Sequence, residues 1–193
     1  VEHSQLVSDA ERLTQSLGQF SDPVAEPTFI AVSGLPGTGK SYFCNRLAER
    51  LPFLILESDA LRKILFPSPS YDSQESSRLF RAVHLLIERL LKKGVSLILD
   101  ATNLSERYRE HLYSIAGRLD VKLILVQVEA PPEVVYERLR ARRENTESKS
   151  DADWEVYQMM KPSVQKIRRN YYVVDTSRDI TPVLDKIVRA VTR

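Results

Sequence analysis

Cysteine is nearly absent from this 193-residue chain: Cys44 is the only one. A lone thiol closes no internal disulfide, so the fold is expected to rest on its apolar core, in a reducing compartment. His3, His84 and His111 are the only histidines, and no metal-ligand spacing relates them. Apolar runs stay well short of the roughly 20 residues of a membrane span, and the basic-then-apolar order of a signal peptide is missing. A cytoplasmic protein without a membrane partner is therefore expected. Charge of one sign is also lacking: 28 Lys and Arg against 26 Asp and Glu leave +2. That balance gives no general electrostatic grip on long nucleic acid. Glycine is scarce, six in all, yet three of the six stand at positions 34, 37 and 39.

Those three belong to Gly34-Leu35-Pro36-Gly37-Thr38-Gly39-Lys40-Ser41, a G-x-x-x-x-G-K-S pattern. It follows the apolar run Thr28 to Val32 and opens a helix-like stretch from Ser41 to Arg50. In this strand–loop–helix setting the pattern has a physical meaning. Glycines let the backbone approach a ligand, and the amides turn inward as an anion nest at a helix start. Lys40 adds a cation for the β- and γ-phosphates, and the Ser41 hydroxyl can ligate Mg²⁺. Gly34, Pro36, Gly37, Thr38, Gly39, Lys40, Ser41 and the adjoining Tyr42 are thus candidates for binding a nucleoside triphosphate.

Around this loop the sequence predicts five buried strands alternating with helices. The strands are placed at Thr28–Val32, Phe53–Leu56, Val95–Leu99, Val121–Val128 and Tyr171–Val174. Their near-continuous apolar character indicates a parallel sheet covered on both faces, an α/β fold in a single domain over 1–193. Residues 1–26 read as an N-terminal helical extension whose amphipathic part, 1–20, packs on the domain or on a partner. Helices are expected at Ala60–Phe66, Gln74–Lys93, Ser105–Gly117, from Pro131 onward, at Ala152–Arg168 and at Pro182–Val191. The polar stretch 144–151 is expected to be an exposed loop.

Ligands of open parallel sheets bind beyond the C-terminal strand ends. The polar residues there include Asp59, Asp100-Ala101-Thr102-Asn103, Glu129 and Asp175-Thr176. Asp59 fits either a helix N-cap or a base taking a proton from an attacking hydroxyl. Arg62, one turn later, suits an acceptor anion or a plain salt bridge. Asp100 ends its strand as a magnesium-holding aspartate does. Thr102 and Asn103 can bond the acceptor or the metal waters, or cap the next helix. Arg138 and Arg142, a turn apart, can face the phosphates together, with Arg140 and Arg143 in solvent. Trp154, Tyr157, Met159 and Met160 read as packing.

The loop 34–41, Ser58-Asp59-Ala60-Leu61-Arg62, Leu99-Asp100-Ala101-Thr102-Asn103-Leu104 and Arg138-x-x-x-Arg142 together resemble the polynucleotide 5′-kinase and zeta-toxin-like branch of P-loop kinases, over residues 28–178. The resemblance implies a P-loop NTPase fold like a nucleoside monophosphate kinase, with a mobile lid at about 138–152. It further implies ATP (or GTP in its place) with Mg²⁺ on Ser41 and Asp100, Asp59 as general base and Arg62 on an acceptor phosphate. Arg142 would reach the ATP phosphates, Asp100 would organise Arg62 and the metal waters, and Asp175 and Thr176 would lie near the adenine. The acceptor expected first is a polynucleotide 5′-OH end, with a small hydroxylated molecule (a sugar, nucleoside or antibiotic) close behind. A nucleotide-dependent switch or NTPase acting on a partner is the reading from a different class.

Overall fold

Alternate residues of each apolar run enter opposite cores, as the two-residue period of a strand requires. Phe29, Ala31, Leu97 and Leu99 face one cluster, while Ile30, Val32 and Ile98 face the other. In the computed structural model, which describes residues 1–145 and 153–193, this pattern runs through a sheet of five strands, although Val173 of the last strand is exposed. They are β1 (Thr28–Ser33), β2 (Leu54–Glu57), β3 (Leu97–Asp100), β4 (Lys122–Glu129) and β5 (Tyr172–Asp175). The order is β2-β3-β1-β4-β5, and every neighbouring pair is parallel.

The eight helices of the described residues are α1 (Glu2–Ser16), α2 (Lys40–Ala48), α3 (Ser58–Leu65), α4 (Ser73–Lys92), α5 (Glu106–Arg118), α6 (Pro132–Glu144), α7 (Trp154–Met160) and α8 (Thr181–Thr192). The first core cluster joins residues of α1, α3, α4 and α5 to the sheet, and the second joins α2 and α8 to its other face. A small third cluster holds α6 and α7 over the first loop: Val135, Leu139 and Tyr157 pack with Leu35 and Trp154.

The predicted N-terminal helix ends at Ser16, where Leu17 turns extended. It packs on α3 and α4, with Ala10 and Leu13 fully buried. Buried Asp9 takes two hydrogen bonds from Arg78 of α4, at 2.7 and 2.8 Å. The helix expected over Ala152–Arg168 is corrected. Only α7 and a 3₁₀ turn, Lys161–Ser163, form within the described part of that range. Pro162 supplies no amide to a continuing helix. Beyond it the Gln165 amide donates to the Leu104 carbonyl (2.8 Å) while Ile167 is buried, so tertiary pairing replaces helical pairing. Most of the expected loop 144–151 and the far end of the expected lid, residues 146–152, lie outside the described residues.

Candidate nucleotide and acceptor site

The sheet register lines up the strand ends. Glu57 pairs with Asp100, Val32 with Asp100, and Glu129 with Asp175, so loops from all five strands leave one edge together. β1 delivers the glycine-rich loop at the centre of that edge. Gly39, at φ 93°, is the N-cap of α2, and no side chain caps the helix. The first amides of α2 therefore lack partners along their own chain and, with the helix dipole, favour an anion.

The glycines here answer to their neighbours. A Cβ on Gly39 would sit 2.9 Å from the Thr176 hydroxyl oxygen, and one on Gly37 would sit 2.8 Å from Leu139 Cγ. Thr176 closes over the loop from the end of β5. Its hydroxyl donates to the Thr38 carbonyl, and its amide donates to the Glu129 carbonyl at 3.0 Å. Arg138 grips the same place, donating to the Thr176 hydroxyl (2.8 Å) and carbonyl (3.0 Å). Arg138 thus braces the loop through Thr176. Asp175 accepts from the Ser177 amide at 2.9 Å and from its hydroxyl at 2.6 Å. Pro36 is buried, and Tyr42 stands on the exposed outer face of α2.

Lys40 folds back to donate to the Leu35 carbonyl at 3.1 Å. Burial pulls its pKa down, against the opposing pull of Asp100 and Asp59. The Ser41 hydroxyl donates to Asp100 Oδ2 at 2.7 Å. Burial pushes the Asp100 carboxyl up, with Lys40 and Ser41 working against that and Asp59 adding to it. Arg142 acts electrostatically on both Lys40 and Asp100. Residues 40, 59, 100 and 142 therefore share one charged neighbourhood. Asp59 is half-buried in the first turn of α3, whose N-cap is Glu57, so it is not the cap of that helix. Arg140 and Arg143 are exposed, while Arg138 and Arg142 are half-buried.

The other candidates are placed differently. Arg62 is buried and donates to Glu75 Oε1 at 2.6 Å and to the Ser76 hydroxyl at 3.2 Å, both on α4. Thr102 accepts the Gly34 amide through its carbonyl at 3.0 Å. Asn103, at φ 47°, turns its side-chain amide inward to the Val32 carbonyl (3.1 Å), tying the ends of β1 and β3 together. Fully buried Arg109 of α5 then fastens the Asn103 carbonyl (2.5 Å) and the Gln165 carbonyl (2.6 Å). Tyr136 meets Trp154 edge-on with centroids 5.2 Å apart, and Trp154 stacks on Tyr157 at 4.9 Å. Among the described residues no three His, Cys, Asp or Glu gather as a metal cage. The hard-oxygen pair of Ser41 and Asp100 fits Mg²⁺, which keeps waters and phosphate oxygens as its remaining ligands.

Sequence reasoning missed Glu75 and Arg109. Asp72-x-x-Glu75 has the look of a capping box, and the Asp72 carboxylate does accept the Glu75 amide at 2.8 Å. The Glu75 side chain instead serves Ser70, Tyr71 and Arg62. Nothing in the local pattern marks Arg109 for burial.

Known proteins share this frame. A curated UPF0200 protein of Aeropyrum pernix is 28% identical over 142 residues, 67% of this chain and 71% of the relative. Chaetomium thermophilum Kti12, solved in complex with ADP-AlF3, superposes with a TM-score of 0.65 at 21% identity, covering 82% of this chain and 96% of that one. A gluconokinase from Sinorhizobium meliloti gives 0.61 at 20% identity, covering 86% and 93%. At such identities the likeness carries the fold, that of P-loop kinases. The family model for the AAA domain matches residues 29–167. From the second residue of β1 to the buried Ile167, this chain belongs to the AAA domain family.

Proposed function

We propose that the protein is an ATP-dependent phosphotransferase that moves the γ-phosphoryl group onto an acceptor hydroxyl. The observation that carries this reading is the shared neighbourhood of Lys40, Asp59, Asp100 and Arg142 beside an uncapped helix start. A nucleotide-binding switch needs the loop and Asp100, but has no use for a second carboxylate at position 59.

In this reading the amides of residues 37–41 and Lys40 hold the β- and γ-phosphates. Ser41 and Asp100 would hold Mg²⁺, which offsets charge on the phosphate oxygens when bound. Asp59 accepts the proton of the attacking hydroxyl, and Arg142 stabilises the charge on the equatorial oxygens. Thr176 and Arg138 keep the loop in shape, with Asp175 and Thr176 beside the base of the nucleotide.

Two acceptor classes follow from the sequence, and each has one supporting observation. A polynucleotide 5′-OH end is favoured by the stretch 161–169, exposed except at Ile167, which carries Lys161, Lys166, Arg168 and Arg169 with no acidic residue. A small hydroxylated molecule is favoured by the engagement of Arg62 with Glu75. The test is label transfer from γ-labelled ATP to a panel of sugars, nucleosides and 5′-OH oligonucleotides. Labelled acceptor of any kind supports the transferase. ATP hydrolysis that a protein partner stimulates, with no acceptor labelled, overturns it in favour of a switch.

A further inference from the structure

Arg62 sits on α3 one turn after Asp59, and so on the same helical face. A residue there with a free guanidinium would suit a phosphate next to the acceptor hydroxyl, because the arginine fork binds phosphate bidentately. In this chain the fork is already engaged. Nη1 donates to Glu75 at 2.6 Å and Nη2 to Ser76 at 3.2 Å, while the Tyr71 ring covers the guanidinium carbon 4.7 Å from its centroid.

Glu75 is held as firmly as its partner. Its carboxylate accepts the Ser70 amide at 2.7 Å, the Ser70 hydroxyl at 3.0 Å and the Tyr71 amide at 3.2 Å. Burial works against its charge, yet the Ser70 amide and Arg62 together keep the carboxyl below its usual range. Both side chains are more than nine-tenths buried. One donor is left over: Arg62 Nε is the only buried side-chain nitrogen or oxygen without a partner among the described residues. That nitrogen is itself buried and offers an acceptor no handle. A phosphate brought to the charge-neutral pair would meet the Glu75 carboxylate, whereas a neutral hydroxyl would not be repelled.

We propose that the acceptor carries no phosphate beside its reacting hydroxyl, that it belongs to the uncharged sugars and polyols, and that the Arg62–Glu75 pair sets this choice. The proposal rests on the phosphotransferase reading. It disfavours a polynucleotide end, whose terminal nucleoside carries a phosphate. The basic stretch weighs little against it, because Lys161 lies over Tyr157 and Arg169 over Tyr113. Lys166 and Arg168 alone are few for gripping a phosphate backbone.

The test compares kcat/KM for neutral sugars and polyols, for the same compounds carrying a phosphate, and for 5′-OH oligonucleotides, in the wild type and in Glu75→Gln. Glutamine can still accept from the Ser70 and Tyr71 amides but removes the negative charge. The wild type is expected to prefer the neutral acceptors at least tenfold, and Glu75→Gln to move that ratio tenfold or more toward the phosphorylated ones. Wild-type preference for phosphorylated acceptors or oligonucleotides overturns the proposal and leaves the kinase reading standing. A ratio unmoved in a Glu75→Gln protein with a native melting curve also overturns it, and the wild-type ratio decides alone if that variant does not fold. Label reaching no acceptor overturns the kinase reading, and this one with it.

Discussion

The two sides of the site are built by opposite means. The proposed nucleotide side consists of backbone: amides of residues 37–41 at an uncapped helix start, shaped by glycines and clasped by Thr176. The proposed acceptor side consists of side chains on α3 and α4 that pair with one another across thirteen residues of sequence, as Arg62 and Glu75 do. A backbone cradle suits any nucleoside triphosphate, because every triphosphate presents the same oxygens. A side-chain pair can be exchanged one residue at a time, and there specificity can change without harming the donor site.

Changes that separate the two sides sharpen this contrast. Asp59→Asn, on the acceptor side, should lower kcat by about 10²–10⁴-fold, the usual worth of a general base. Its ATP affinity by isothermal titration should stay within about threefold of wild type. Equal loss of both would merge the two sides. Gly39→Ala should do the reverse, forcing a methyl toward Thr176 at a left-handed φ. Nucleotide affinity should fall about 100-fold, the scale of one to three kcal/mol of backbone strain. Retained affinity would show that the clasp yields.

The helix behind the acceptor side offers a pH test. His84 of α4 stacks on His111 of α5 with centroids 5.3 Å apart, and burial first, then His111, lowers its pKa from 6.5 to about 4. The folded state therefore takes this proton later than the unfolded chain does. The contribution is fully present above pH 6.5 and is lost as pH falls toward 4, by at most about 3 kcal/mol. Denaturant titrations at pH 7 and 4.5 should show that loss in the wild type and a smaller one in His84→Leu. Asp9→Ala should cost the least, about 1–3 kcal/mol of unfolding free energy for a charge-assisted pair to the partly exposed Arg78. It should leave nucleotide affinity unchanged, since α1 packs chiefly on α3 and α4, away from the glycine loop.

The same contrast explains what could be read in advance. Five strands and the glycine loop were legible because strand periodicity and G-x-x-x-x-G-K-S are local patterns. The placement of Asp59 and Asp100 at strand ends followed from the parallel sheet. The helix expected through Arg168 failed because Pro162 and the Gln165–Leu104 pairing override a local preference. Arg138 carries a role the pattern did not show, since its donors reach Thr176, 38 residues on. Asn103 suited a cap or a ligand by type, and only the tertiary fold turns it to Val32. Such long-range pairings leave no periodic trace.

The grasp of Thr176 on Thr38 also has a temporal side. A chain emerging from the ribosome presents its glycine loop before the residue that clasps it, which is made 138 positions later. Until then the most recognisable segment of the molecule lacks its clamp, and growing chains should hold the proposed nucleotide poorly.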